Sequence, residues 1–105
     1  MITIQYGYNQ EKDISYIKVL GHAENNLICN AATAIIECLA ANLIVMNGVA
    51  VDRKDESGDY LLEWRSKNAL SDYAASFATI GLIALAEEYP ENLQIQKGEK
   101  THDYP

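Results

Sequence analysis

Apolar and polar residues alternate at the start of the chain, in Ile2-Thr3-Ile4-Gln5-Tyr6. That is the period of a strand with one buried face. Gly7 to Asp13 is polar and turn-like, and Ile14 to Leu20 returns to β-branched and aromatic residues, with Ile17 and Val19 set against Lys18. The stretch from Ile2 to Leu20 therefore predicts a β-hairpin. After a polar connection, Gly21 to Asn26, the period lengthens. Ala32, Ile35/Ile36, Leu39, Leu43 and Met46 recur at steps of three and four, which predicts an amphipathic helix of about 18 residues. Asn25 or Asn26 suits its N-cap, where a side-chain oxygen accepts an orphan backbone N–H. Asn47-Gly48 supplies its stop. Val49–Arg53 and Tyr60–Arg65 read as strands joined by a turn at Asp55–Asp59. Leu70 to Tyr89 reads as a second helix with Tyr73, Phe77, Ile80, Ala84 and Leu85 on one face. Asn68 or Ser71 is placed to cap it and Pro90 to end it. Leu93 to Lys97 alternates once more as a final strand.

The predicted order is ββαββαβ, an α/β (α+β) fold with a mostly antiparallel sheet packed with two helices in two or three layers. Residues 1–98 form a single domain in this reading, and 99–105 a frayed polar tail. The length, 105 residues, fits one domain. Two helices on so short a chain leave apolar helix surface to cover, which favours a homodimer.

Charge narrows the possible partners. Eight Lys and Arg against 15 Asp and Glu give a formal charge of −7, which argues against nucleic acid and against an anionic membrane. The most apolar run, Ile28 to Val51, is interrupted by Asn30, Glu37, Asn42 and Asn47 and reads as a buried helix rather than a span. No signal peptide is recognised at the start. The expectation is a cytoplasmic protein with both cysteines as free thiols.

The chemistry-bearing segment is Gly21-His22-Ala23 followed by Leu27-Ile28-Cys29-Asn30-Ala31-Ala32-Thr33. With Asn26 as N-cap, Cys29 falls in the first helical turn, where unpaired N–H groups and the helix dipole favour an anion. A thiol so placed is expected to have a lowered pKa. His22, seven residues earlier at a strand end, is the usual type of base for a cysteine nucleophile. N–H groups of Cys29 and Asn30 are candidates to hold an oxyanion. The alternative is structural: Cys29 as a small buried residue and His22 as a strand-end residue satisfied by backbone.

Gly-His-Ala at the end of the second strand and Ile-Cys-x-Ala-Ala-Thr opening a helix resemble the ribosomal-processing cysteine protease (Prp) family. Gly81-Leu82-Ile83-Ala84-Leu85-Ala86-Glu87-Glu88-Tyr89-Pro90 is similar to that family's Gly-Leu…Tyr-Pro segment. The resemblance covers almost the whole chain. It implies a small cytoplasmic bacterial endopeptidase, homodimeric, with a His–Cys dyad and no cofactor, that removes an N-terminal extension from a large-subunit ribosomal protein. A phage-type relative that processes capsid or scaffold protein, and a non-catalytic peptide-binding homodimer of the same fold, are the alternatives. On this resemblance Cys29 is the nucleophile and His22 the general base and acid. Thr33, one helical turn after Cys29, lines the site or else bonds back to a helix carbonyl. The chain departs from the family in two places. The loop between the His and Cys motifs is short, and Asn26 stands where an acidic residue is common, leaving it to cap the helix or orient the imidazole.

Other candidates carry less. Cys38 is expected in the core or a dimer contact. His22, Cys29, Cys38 and His102 lack metal-ligand spacing, so no metal is expected. Tyr60 and Trp64 are read as strand packing residues, with a substrate contact secondary. Asp52, Asp55, Glu56 and Asp59, with Arg53 and Lys54, read as a solvated hairpin end. Gly81 is expected to permit close packing of a neighbour.

Overall fold

The computed structural model describes residues 1–56, 59–66 and 68–97. The tail 99–105, with His102, lies outside the described residues. The elements run β1 (Ile2–Asn9), β2 (Ile14–Leu20), α1 (Asn26–Ala41), a π-helical turn (Asn42–Met46), β3 (Val51–Glu56), β4 (Asp59–Trp64), α2 (Ala69–Glu88) and β5 (Leu93–Lys97). The expected ββαββαβ order holds. One five-stranded sheet has the order β3, β4, β2, β1, β5, with β5 parallel to β1 and every other pair antiparallel.

Register shows which face is covered. Tyr6 pairs with Ile17, Ile17 with Leu62, Ser15 with Trp64, and Ile4 with Ile95. Paired residues share a face, so Ile2, Ile4, Ile17, Leu62, Trp64 and Leu93 lie together on one side, all buried. The opposite face carries Thr3, Gln5, Lys18, Glu63, Gln94 and Gln96. The core joins the first face to Ile28, Ala32, Ile36, Leu39 and Leu43 and to Ala75, Ala78 and Leu82. The sandwich therefore has two layers, with both helices on one side. By length and composition alone 26–45 and 69–88 are each able to cross a membrane; here both contribute to a core built on the sheet.

Helix ends follow local chemistry. Asn25 caps α1, its side chain accepting the Leu27 N–H at 2.9 Å. The cap is thus one residue earlier than the Asn26 assumed for placing Cys29. Past Ala41 the helix widens to a π-turn, and Gly48, at φ +63°, stops it, with the Val49 N–H donating to the Leu43 carbonyl at 2.8 Å. Val49 is therefore buried against the helix end, and β3 starts at Val51, later than the pattern suggested. Asn68 and Ser71 form a reciprocal capping box on α2.

The face of α2 is a correction. Its buried residues are Ser71, Ala75, Ser76, Ala78, Thr79 and Leu82, whereas Leu70, Tyr73, Phe77 and Ile80 point outward, Phe77 at 76% exposure. Small side chains face inward because α2 packs on both α1 and the sheet. The larger apolar stripe is left uncovered. Cys38 is also exposed, in a groove between the helices with Ile35, Leu39, Phe77 and Gly81, so it is not a core residue of this chain. At Gly81 a Cβ would stand 3.7 Å from the Ile35 side chain. That is ordinary contact, so close packing does not require a glycine there.

Candidate active site

The chain leaves β2 at Leu20 and must turn at once toward α1. Gly21 makes that turn at φ +81°, and a Cβ there would meet the Met1 carbonyl oxygen at 2.7 Å. Both its backbone angle and the close approach of the Met1 backbone, just before β1, thus call for glycine. The next carbonyl, that of His22, accepts from the Met1 ammonium at 2.9 Å. Ala23 is buried and fixes the sulfur of Cys29. The Ala23 N–H donates to Sγ at 3.4 Å, and the thiol lies 3.8 Å from the Ala23 carbonyl oxygen.

With Asn25 as cap, Cys29 is the fourth residue of α1 rather than the third. Its own N–H lies 3.5 Å from the Asn25 carbonyl oxygen, and the Ile28 N–H 3.1 Å from the same atom. The helix start is therefore partly self-satisfied, and the Cys29 bond is at the long limit for an N–H donor.

His22, Cys29 and Thr33 line one cavity of about 190 Å³ at the end of the sheet where β2 finishes and β4 begins. Its apolar lining comes from Ile2, Val19, Ala32 and Ile36. His22 is exposed, Cys29 half-buried and Thr33 exposed. Asn26 and Asn30 are exposed on α1 and lie outside the cavity lining. Among the described residues no three His, Cys, Asp or Glu side chains are grouped to hold a metal ion.

At the far end of this cavity the sequence had offered Tyr60 only as a packing residue with a secondary substrate contact, and Glu37 not at all. Glu37, Tyr60, Asp55 and Asp59 also line it. The Tyr60 hydroxyl donates to Glu37 Oε1 at 2.8 Å, and Arg53 Nη1 donates to Oε2 at 2.7 Å. Burial, then the hydrogen bond to Glu37 and that carboxylate's charge, push the Tyr60 phenol up to about 12. Glu37 was legible in principle, because Cys29, Thr33 and Glu37 stand four residues apart on one helix face. Tyr60 and Arg53 arrive only through the pairing of β4 and β3, so Arg53 is tied to α1 rather than left in a solvated hairpin end.

No protein-family model and no curated protein matches the chain. Solved structures do. The essential ribosomal processing protease Prp from S. aureus, in complex with a covalently linked product peptide, superposes with a TM-score of 0.79 at 22% identity, covering 93% of this chain and 100% of that one. The same protease with a substrate peptide gives 0.72 at 22% identity and the same coverage. SMU.848 from Streptococcus mutans gives 0.72 at 18% identity, covering 92% of this chain and 93% of that one. The chain has the fold of the ribosomal processing protease Prp, over essentially that protein's whole crystallised length.

Proposed function

We propose that this chain is a cysteine endopeptidase of the Prp family that removes a short N-terminal extension from a large-subunit ribosomal protein. Cys29 is the nucleophile and His22 the general base and acid. One observation carries the reading: a single cavity lined by His22, Cys29 and Thr33. Support comes from the fold, shared with a protease solved with a substrate peptide and with a covalently linked product peptide.

The sulfur attacks the scissile carbonyl carbon after its proton passes to His22. The resulting oxyanion needs N–H donors at the start of α1. Cys29 and Asn30 are assigned that task, and the long 3.5 Å bond of the Cys29 N–H to Asn25 is one a substrate oxygen can replace at low cost. The C–N bond then breaks as His22 protonates the leaving amine, leaving a thioester. Water, deprotonated by His22, attacks that thioester and releases the acid and the thiol. Thr33, one turn beyond Cys29, lines the substrate side of the cavity, and Asn26, exposed at the first position of α1, takes an adjoining polar contact with the peptide. The reading includes a cytoplasmic homodimer; the exposed stripe of Tyr73, Phe77 and Ile80 supports self-association. A net charge of −7 suits a basic extension as substrate.

The test is incubation with N-terminal extension peptides of ribosomal proteins, alongside capsid and scaffold peptides from phage, with products read by mass spectrometry. The expected outcome is cleavage of a ribosomal extension that disappears in Cys29→Ala. A peptide that binds wild type and Cys29→Ser equally and is never cut would establish the non-catalytic binder instead.

A further inference from the structure

The cavity beside Cys29 has a defined length. Along α1 it runs from Cys29 past Ala32, Thr33 and Ile36 to Glu37, eight residue steps, or about 12 Å along the axis. At the Glu37 end it meets Tyr60 on β4. That ring is not loosely placed. Its hydroxyl is held by one oxygen of Glu37, and Arg53 on the neighbouring strand holds the other. Arg53 and Glu37 are each partly exposed, so the pair adds modest stability. Its geometric effect is larger, because three elements, α1, β3 and β4, are joined at one carboxylate. The apolar part of the lining comes from Ile2, Val19, Ala32 and Ile36; Thr33 lies among them, and Asp55 and Asp59 flank Tyr60.

We infer that Tyr60, locked by Glu37 and through it by Arg53, is a specificity-determining wall that sets the length of the apolar side chain admitted beside Cys29. This rests on the proposed peptidase reading only for its biological meaning; the wall itself is a property of the cavity. Glu37 and Arg53 act through Tyr60 and are positioning residues. A medium apolar side chain is the class of group the cavity takes, and a longer one is refused by the fixed ring. The neutral phenol keeps the bond to Glu37 across the whole physiological range, since its ionisation is displaced well upward by burial and by Glu37.

The wall is tested without relying on peptide cleavage. N-Alkyl chloroacetamides with methyl, butyl, hexyl and octyl groups are reacted with the protein, and alkylation of Cys29 is followed by mass spectrometry. Exposed Cys38 in the same chain corrects for reagent reactivity. In wild type the Cys29/Cys38 rate ratio is expected to peak at a medium chain and fall about tenfold with the next longer reagent. In Tyr60→Ala the peak moves to the longer reagent. In Glu37→Ala, which frees the ring but keeps it, the cut-off flattens by several-fold, so the inference stays testable if Tyr60→Ala does not fold. A length profile unchanged in a folded Tyr60→Ala or Glu37→Ala, or a Cys29 that no reagent reaches, overturns the wall. Absence of peptide cleavage together with the expected profile would sink the peptidase reading and leave the wall standing.

Discussion

Two glycines separate what backbone geometry requires from what sequence similarity suggests. Gly21 and Gly81 both fall in segments that resemble the Prp family, yet their surroundings differ. At Gly21 an added methyl faces two costs. The backbone sits at φ +81° and the new Cβ would lie 2.7 Å from the Met1 carbonyl oxygen. A left-handed conformation costs a non-glycine residue about 1–2 kcal/mol, and forcing an atom into backbone contact costs about 1–3 kcal/mol more. Gly21→Ala is therefore expected to lose about 2–5 kcal/mol. At Gly81 the backbone is helical and the nearest side-chain atoms, both of Ile35, stand at 3.7 Å. Gly81→Ala is expected to gain about 0.5–1 kcal/mol, from the entropy that glycine gives up in a helix. Urea unfolding followed by circular dichroism reads both. With a slope of about 1–2 kcal/mol per molar for a domain of this size, the Gly21→Ala midpoint falls by at least about 1 M while that of Gly81→Ala rises slightly. Equal midpoints for the two variants would refute the reasoning, as would a Gly21→Ala loss under about 0.5 kcal/mol. Because His22 directly follows Gly21, the proposed peptidase activity, if cleavage is found in wild type, is expected to be slower in the folded fraction of Gly21→Ala.

Further outcomes follow from other contacts. Cys38 is exposed and Cys29 only half-buried, so accessibility alone favours alkylation of Cys38 by iodoacetamide; an activated nucleophile reverses that order, and faster labelling of Cys38 would count against it. Tyr60 keeps its proton in the folded state up to about pH 12 whereas an unfolded tyrosine loses it near 10.0, so stability falls as pH rises through that window. The fall should be smaller in Tyr60→Phe, and identical alkaline melting curves for the two proteins would contradict the assignment; Tyr8, raised by Asp13, contributes equally to both. The Thr79 hydroxyl is buried with no hydrogen-bond partner among the described residues. Thr79→Val is accordingly expected to stabilise by about 1 kcal/mol, and a comparable loss in thermal unfolding would reveal a partner for that hydroxyl.

The order of elements, the residues able to cap the helices and the His22–Cys29 segment were all legible in the sequence. These depend on neighbours in the chain. Alternation marks β1 and β2, Asn25 and the Asn68–Ser71 pair bond to N–H groups within their own helices, and Gly48 ends a helix by its own backbone angle. The Gly-His-Ala and Ile-Cys-x-Ala-Ala-Thr segments likewise indicated where His22, Cys29 and Thr33 gather. Tertiary structure alone decided which side of α2 turns inward. The stripe of Tyr73, Phe77 and Ile80 has helical spacing, yet the limited room above α1 and the sheet admits Ala75, Ala78 and Thr79 instead. For the same reason the far wall of the cavity was not legible. Glu37 was visible on the helix face of Cys29, but Tyr60 and Arg53 lie 23 and 16 residues from it in sequence and meet it only once β3 and β4 pair at the sheet edge. Local bonding is encoded at short range, whereas a wall built from three elements exists only after they pack.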